Sequence, residues 1–226
     1  LYSMDGDTPD LARLIDIKNA FDAWMMVDEA HALGVLGETG RGTAEAQGVN
    51  PADVEIWMGT LSKSLGSTGG YIAGSESLVA LLKARAPGFV FSVGLPPVLT
   101  AAAHTALGLL QSEPWRVARL RRNGEILHRA LQQAGLDTAH SEGHAVAPVV
   151  IGDSPTTALV ANMINERGVS APPIIHPAVP ERRARLRLFA SASHEPAQIE
   201  RAVEIVAAAM EEARTAIASK LSLALR

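Results

Sequence analysis

The 226-residue sequence contains no cysteine, which rules out both a disulfide framework and a thiolate metal site. It has no apolar run long enough to span a membrane, because charges or breaks interrupt its alanine-rich stretches. No signal-peptide pattern is visible, so the cytoplasm is the default expectation. Charge of one sign is not in excess either. Lys and Arg number 20 against 24 Asp and Glu, for a net charge of −4, which gives no electrostatic reason to expect nucleic acid or an anionic membrane as partner. What remains is ordinary: 47% hydrophobic and 19% charged residues argue for a globular chain rather than a disordered one. Its length suffices for one large or two modest domains with a real core.

Two stretches stand out. In Gly59-Thr60-Leu61-Ser62-Lys63-Ser64-Leu65-Gly66-Ser67-Thr68-Gly69-Gly70-Tyr71 a single lysine sits among hydroxyls and glycines. Glycine lets backbone approach a ligand closely and hydroxyls can bond phosphate oxygens, so the stretch suits a lysine that meets a phosphorylated cofactor. Taken alone, a glycine-rich turn with an exposed lysine accounts for it as well. The second stretch, Met25-Met26-Val27-Asp28-Glu29-Ala30-His31, is an apolar run closing on acids and a histidine. It reads as a buried strand delivering Asp28 to the carboxyl edge of a sheet, where open α/β folds bind ligands. No second histidine or acid lies at helical i+4 spacing from His31, so no metal site is expected.

These stretches belong to an ordered series: Tyr2-Ser3-Met4-Asp5-Gly6-Asp7, Val27-Asp28-Glu29-Ala30-His31, Gly37-Glu38-Thr39-Gly40-Arg41-Gly42, Thr60-Leu61-Ser62-Lys63 and Gly69-Gly70-Tyr71. The series resembles the α-oxoamine synthases, the family that includes 8-amino-7-oxononanoate synthase, 2-amino-3-ketobutyrate CoA ligase, 5-aminolevulinate synthase and serine palmitoyltransferase. The likeness runs nearly end to end. It implies an α/β architecture of the aspartate-aminotransferase type (fold type I). This chain would hold part of the large domain, with a mixed, mainly parallel sheet, over residues 1–112, and a small α+β domain over residues 113–226. Leu1 falls well inside the large domain of the family pattern, so the chain looks like the later portion of a longer protein.

The resemblance also implies a cofactor, pyridoxal 5'-phosphate, and roles around it. Lys63 would be its Schiff-base lysine, with burial and a positive neighbourhood expected to lower its pKa. Asp28 would partner the ring nitrogen. His31 would lie near the phenolic oxygen and could serve as an acid. Thr60 would contact phosphate, with Ser62 a weaker candidate that could simply shape its turn. Ser3 would bond the phenolic oxygen, and Ser92 either reaches the neighbouring subunit's cofactor phosphate or is satisfied within its own turn. Strand alternation puts Arg185 and Arg187 on one face. The resemblance gives Arg187 the substrate carboxylate, while Arg182, Arg183 and Arg185 read as surface charge and Glu29 as structural. His176 and His194 read as polar loop residues, and Ala178 stands where several relatives carry a phosphate-contacting threonine. The implied reaction joins an amino acid to an acyl thioester with loss of CO2, in a homodimer whose active site lies at the subunit interface. Two rivals are kept: another enzyme of the same fold and cofactor, such as an aminotransferase, and a non-catalytic supporting subunit or fragment. Lys63, Asp28, His31 and Arg187 occurring together speak against a supporting subunit, while this portion of the chain is expected to fold but to be inert by itself.

Local patterns predict the elements. Helices are expected over Pro9–Trp24 (Thr8 as cap; Leu11, Leu14, Ile15 and Phe21 on one face), Ser75–Ala86 (Leu78, Leu81 and Leu82 inward), from Pro97 to about Leu110, from Pro114 to Ala134, over Thr156–Arg167, and from Pro196 with Ile199, Val203, Val206 and Met210 aligned. Strands are expected over Trp24–Asp28, Val54–Met58, Tyr71–Ala73, Val146–Ile151, from Val169 and over Arg185–Ser191, with Phe89–Gly94 a strand or extended loop. The arginines 116, 119, 121, 122 and 129 form a solvated helix face without the interleaved aromatics of a nucleic-acid site.

Overall fold

Asp10 begins the first helix, α1 (Leu11–Ala20). In this computed structural model, which describes residues 1–224, the Asp10 carboxylate accepts the Arg13 backbone N–H at 3.0 Å. That is the N-cap bond expected of Thr8, made two residues later by the side chain that reaches the third helical N–H. Leu11 and Ile15 pack with Val54 in a small core. Leu14 and Phe21, expected on the same face, are exposed: the covered stripe is only wide enough for the i, i+4 pair, and Phe21 lies past the last helical residue.

The chain divides into two compact units, the first made of Leu1 and Thr8–Ala118, the second of Tyr2–Asp7 and the residues from Arg119 onward. In the first, β1 (Met26–Asp28) pairs parallel with β2 (Ile56–Thr60). The strand β3 (Gly70–Gly74) pairs antiparallel with β2, placing Gly59 opposite Tyr71. The sheet order is β1-β2-β3, a mixed sheet. Between β1 and β2 lie α2 (Thr43–Gln47) and a 3-10 turn at Pro51–Asp53. Glu55 ties α1 to the sheet, pairing with Lys18 at 2.7 Å and accepting the Met25 N–H at 2.9 Å. After β3 comes α3 (Glu76–Arg85), capped by Ser75. Leu78 and Leu82 are partly buried but Leu81 is exposed, against expectation. The stretch expected to be extended from Phe89 starts instead in a single helical turn, α4 (Pro87–Val90). Pro87 sits at its first position, where a fixed φ favours helix. A second proline then opens α5 (Pro97–Ser112).

The second unit carries α6 (Trp115–Gln133), β4 (Val146–Gly152), α7 (Ser154–Glu166), β5 (Pro173–Ile174), β6 (Ala184–Phe189) and α8 (Pro196–Ala224). Its antiparallel sheet has the order β4-β6-β5. Leu186 and Leu188 of β6 meet Val149 of β4, Val160 and Ile164 of α7, and Val206 of α8 in one core. The strand expected from Val169 begins only at Pro173. The Val169 N–H still donates to the Ile164 carbonyl at 2.9 Å, so these residues close the helix rather than pair in a sheet. Among the described residues no helix is long and apolar enough to cross a membrane.

Asp153 caps α7, accepting the Thr156 N–H at 2.8 Å. That bond, ahead of other causes, holds its carboxyl below the usual range. Asp153→Ala is expected to cost about 1 kcal/mol, read as a shift in the urea midpoint. Because the folded value is depressed, the contribution is complete above the ordinary carboxylate range and disappears as pH falls through the folded value. Wild type and variant should therefore converge in acid.

Candidate active site

Because β1 and β2 run parallel, their carboxyl ends share one edge of the first sheet. Asp28 is the last residue of β1, and the Glu29 N–H extends the ladder by donating to the Met58 carbonyl at 2.7 Å. The chain then turns back, with Ala32 and Leu33 N–H groups both donating to the Glu29 carbonyl at 3.0 Å. His31, partly buried, sits in this turn. The Asp28 side chain is exposed, and its Oδ1 accepts the Ala30 N–H at 2.7 Å, which fixes the carboxylate's direction. Glu29 points the other way, as strand alternation requires. It is buried and accepts the Thr43 N–H with both oxygens, at 3.2 and 3.0 Å, a structural role.

Thr60 ends β2 and organises the lysine loop. Its hydroxyl donates to the Gly69 carbonyl at 3.1 Å, accepts the Ser62 N–H at 3.1 Å and lies 2.7 Å from the Ser62 hydroxyl. Backbone bonds Leu61 to Gly69, Gly66 to Lys63 and Ser67 to Leu61 close the loop at 2.8–3.0 Å. Gly69 takes φ +97°, which L side chains rarely adopt. Leu65 is the buried anchor of the loop, and Lys63 is exposed rather than buried as expected. Among the described residues Lys63 enters no salt bridge. One bond that sequence reasoning missed stitches the two segments together: the Ser64 hydroxyl donates to the Leu33 carbonyl at 2.7 Å. A Cβ on Gly34 would come within 2.7 Å of the Ser64 Cβ, so the close approach depends on glycine. Asp28, His31, Thr60, Ser62 and Lys63 thus lie on one edge of one unit. Ser92, in the same unit, is exposed and donates to the Val93 carbonyl at 3.3 Å.

Two further features were not foreseen. The Tyr71 ring lies against Gly59, where a Cβ would sit 2.4 Å from the hydroxyl oxygen. Burial first, then the carboxylates of Glu29 and Asp28, push this phenol above its usual value. The Gly37–Gly42 motif is built around Glu45, which accepts the N–H and hydroxyl of Thr39 and the N–H of Arg41. Neither partner could be found without knowing how the loop folds back.

In the second unit Arg187 is partly buried on β6. Its Nη1 donates to the Ser3 carbonyl at 3.0 Å, its Cζ stands 5.0 Å from the Phe189 ring centre, and its Nε is buried without a partner. Burial lowers the guanidinium's pKa, yet it stays a cation at neutral pH. Arg185 corrects the sequence reading: it is not surface charge but 4% exposed, paired with the Asp5 carboxylate. A buried arginine needs such a partner, and this one lies at the other end of the chain. Arg182 and Arg183 are exposed. His176 is exposed, and His194 accepts the Ser191 N–H at 3.2 Å through Nδ1. Among the described residues no three His, Cys, Asp or Glu gather as a metal site.

An acid at the end of one parallel strand and a lysine loop after the next share the carboxyl edge of the first sheet, the edge at which open α/β folds bind ligands. Residues 1–206 match the model of aminotransferase class I and II, and the chain belongs to that family. It is 42% identical over 209 residues to the 8-amino-7-oxononanoate synthase of Geobacter sulfurreducens, covering 92% of this chain and 53% of that protein. It is 40% identical over 200 residues to the enzyme of the same name from Pseudomonas putida GB-1, covering 88% and 51%. The chain thus spans about half the length of the curated relatives it matches. Among solved structures it resembles the serine palmitoyltransferase of Sphingomonas wittichii, with TM-score 0.89, 30% identity, and coverage of 95% of this chain and 54% of that one. It also resembles a high-resolution structure of SPT with a PLP internal aldimine, with TM-score 0.89, 29% identity, and 94% and 54% coverage. These likenesses carry the fold type I architecture expected from the motifs.

Proposed function

We propose that this chain belongs to a pyridoxal-phosphate enzyme that condenses an amino acid with an acyl thioester, releasing CO2 and the free thiol and forming an α-amino ketone. The observation that carries this reading is the joining of the Asp28–His31 turn to the Lys63 loop at one sheet edge, through Ser64 and Leu33. The relatives named above as 8-amino-7-oxononanoate synthases and serine palmitoyltransferases support the choice of reaction.

The donor set fits the cofactor chemically. An exposed amine in no salt bridge among the described residues, an oriented carboxylate, an imidazole and paired hydroxyls next to glycines are what an aldehyde, a ring nitrogen, a phenolate and a phosphate need. Bound pyridoxal phosphate would supply an electron sink for negative charge developing at the substrate α-carbon. Lys63 would hold the cofactor through its aldehyde carbon and carry the α-proton. Asp28 would keep the ring nitrogen protonated, and His31 would stand by the phenolic oxygen and act as a proton donor. Thr60, with Ser62, would bind phosphate. The hydroxyls of Ser3 and Ser92 would take the phenolic oxygen and the phosphate of a neighbouring copy, respectively. Arg187 would hold the amino acid's carboxylate with its unpartnered Nε. Exposed Phe89, Phe91, Val93 and Val98 support pairing of two copies along the segment leading into α5.

The test uses the intact protein. It is mixed with pyridoxal phosphate, reduced with borohydride and digested, and the peptides are mapped. The label is expected on Lys63, and the loaded enzyme is expected to release free thiol from an acyl thioester only when an amino acid is present. A label on another lysine would overturn the site. Keto-acid formation without thiol release would replace the condensation by transamination.

A further inference from the structure

The two arginines that alternate on one face of β6 have different surroundings, and the difference assigns them different work. Arg185 is almost fully buried, and two of its nitrogens are engaged: Nε by the Arg183 carbonyl at 3.1 Å, Nη1 by the Met4 carbonyl at 3.4 Å and by the Asp5 carboxylate. Arg187 is held by the Ser3 carbonyl through Nη1 and keeps a buried Nε without a partner. Both arginines therefore grip the same short segment, Tyr2–Asp7.

That segment is itself a tight turn. The Tyr2 N–H donates to the Asp7 carbonyl at 2.9 Å and the Gly6 N–H to the Tyr2 carbonyl at 3.0 Å. Gly6, at φ +73°, lets the backbone lie directly on β4, since a Cβ there would fall 2.3 Å from the Val146 carbonyl oxygen. The Glu142 N–H adds a bond to the Gly6 carbonyl at 3.3 Å. The turn is anchored at its Asp5–Gly6 end, and Ser3 hangs from that anchor.

We propose that the Asp5–Arg185 ion pair is a positioning device. It fixes the Tyr2–Asp7 turn so that the Ser3 carbonyl orients the Arg187 guanidinium, leaving Nε aimed at a substrate carboxylate. This rests on the reading of Arg187 as the carboxylate-binding residue. Arg185 cannot take that role, because its charge is already met by Asp5. The consequence is selective: loosening the pair degrades recognition of the carboxylate and not of the rest of the amino acid.

The experiment measures, on the intact cofactor-loaded protein, dissociation constants from the change in cofactor absorbance. The probes are whichever of glycine, L-alanine or L-serine binds best, and the amine that lacks its carboxyl group (methylamine, ethylamine or ethanolamine). Arg187→Ala should weaken the amino acid and spare the amine. Asp5→Asn and Arg185→Lys should each weaken the amino acid roughly tenfold, the size expected for members of one salt-bridge network, and leave the amine within about twofold. Asp5→Glu, which keeps the charge, should recover part of the loss and serves where Asp5→Asn does not fold. If Arg187→Ala leaves amino-acid binding unchanged, the assignment of Arg187 fails. If Arg187→Ala weakens it while the Asp5 and Arg185 variants change nothing, or weaken both probes alike, the positioning role is overturned and the pair is a stability element only.

Discussion

Replacing Lys63 by alanine in the intact protein is expected to lower turnover by about 10³-fold or more, the scale of a lost positioned proton carrier, with almost no change in stability. Both halves follow from where the residue sits. Lys63 is exposed, and the buried contact of its loop comes from Leu65. The bonds that shape the loop are made by Thr60, Ser62, Ser64, Ser67 and backbone. Nothing that folds the loop uses the ammonium group, so the change in unfolding free energy should stay within about 0.5 kcal/mol. Turnover is measured as thiol released per loaded enzyme, stability by urea unfolding of the cofactor-free protein, where the bound cofactor makes no contribution. Turnover within tenfold of wild type would remove Lys63 from the chemistry. A large loss of stability would mean that the side chain has a structural partner in the intact protein.

The lysine loop and the Asp28 turn were legible because their signals are local. A strand that ends in an acid, and a lysine framed by hydroxyls and glycines, announce themselves within a dozen residues. The order of elements in the second unit was legible for the same reason, since helix stops such as Gly135 and apolar periods such as Ile199–Met210 are short-range. What was not legible depends on partners far along the chain. Alternation placed Arg185 and Arg187 on one face, but nothing local says that one of them is neutralised by Asp5, 180 residues away. The Ser64–Leu33 bond, 31 residues apart, is hidden in the same way. The helical turn at Pro87 escapes local reading: the apolar stretch Phe89–Gly94 reads as a strand or extended loop, while the proline ahead of it is set for helix. The apolar stripes of α1 and α3 predicted helices correctly but not their cover, since Leu14 and Leu81 remain exposed in this chain. Periodicity reports which face is apolar, not what lies on it.

Gly42 carries the largest expected effect on stability. It sits at φ +97° before α2, and a Cβ there would fall 2.0 Å from Glu29 Oε2. Glu29 is 4% exposed and cannot swing away without leaving the buried Thr43 N–H unpaired. Gly42→Ala therefore combines the cost of placing a side chain in a backbone region that only glycine adopts readily, φ +97° and ψ −159°, about 1–3 kcal/mol, with loss of a charged hydrogen bond in the interior, about 1.5–3 kcal/mol. The expected total is about 3–6 kcal/mol, measured as a fall in the urea midpoint at unchanged slope. The effect should reach the site as well, because Glu29 follows Asp28 and its backbone N–H and carbonyl hold the end of β1 and the turn containing His31. Glu29→Gln separates the two contributions: it keeps the shape and one acceptor but loses the charge, and it should cost less than Gly42→Ala. If Gly42→Ala proved neutral, Glu29 would have to possess a second buried position, and its role as the fixed support behind Asp28 would be wrong.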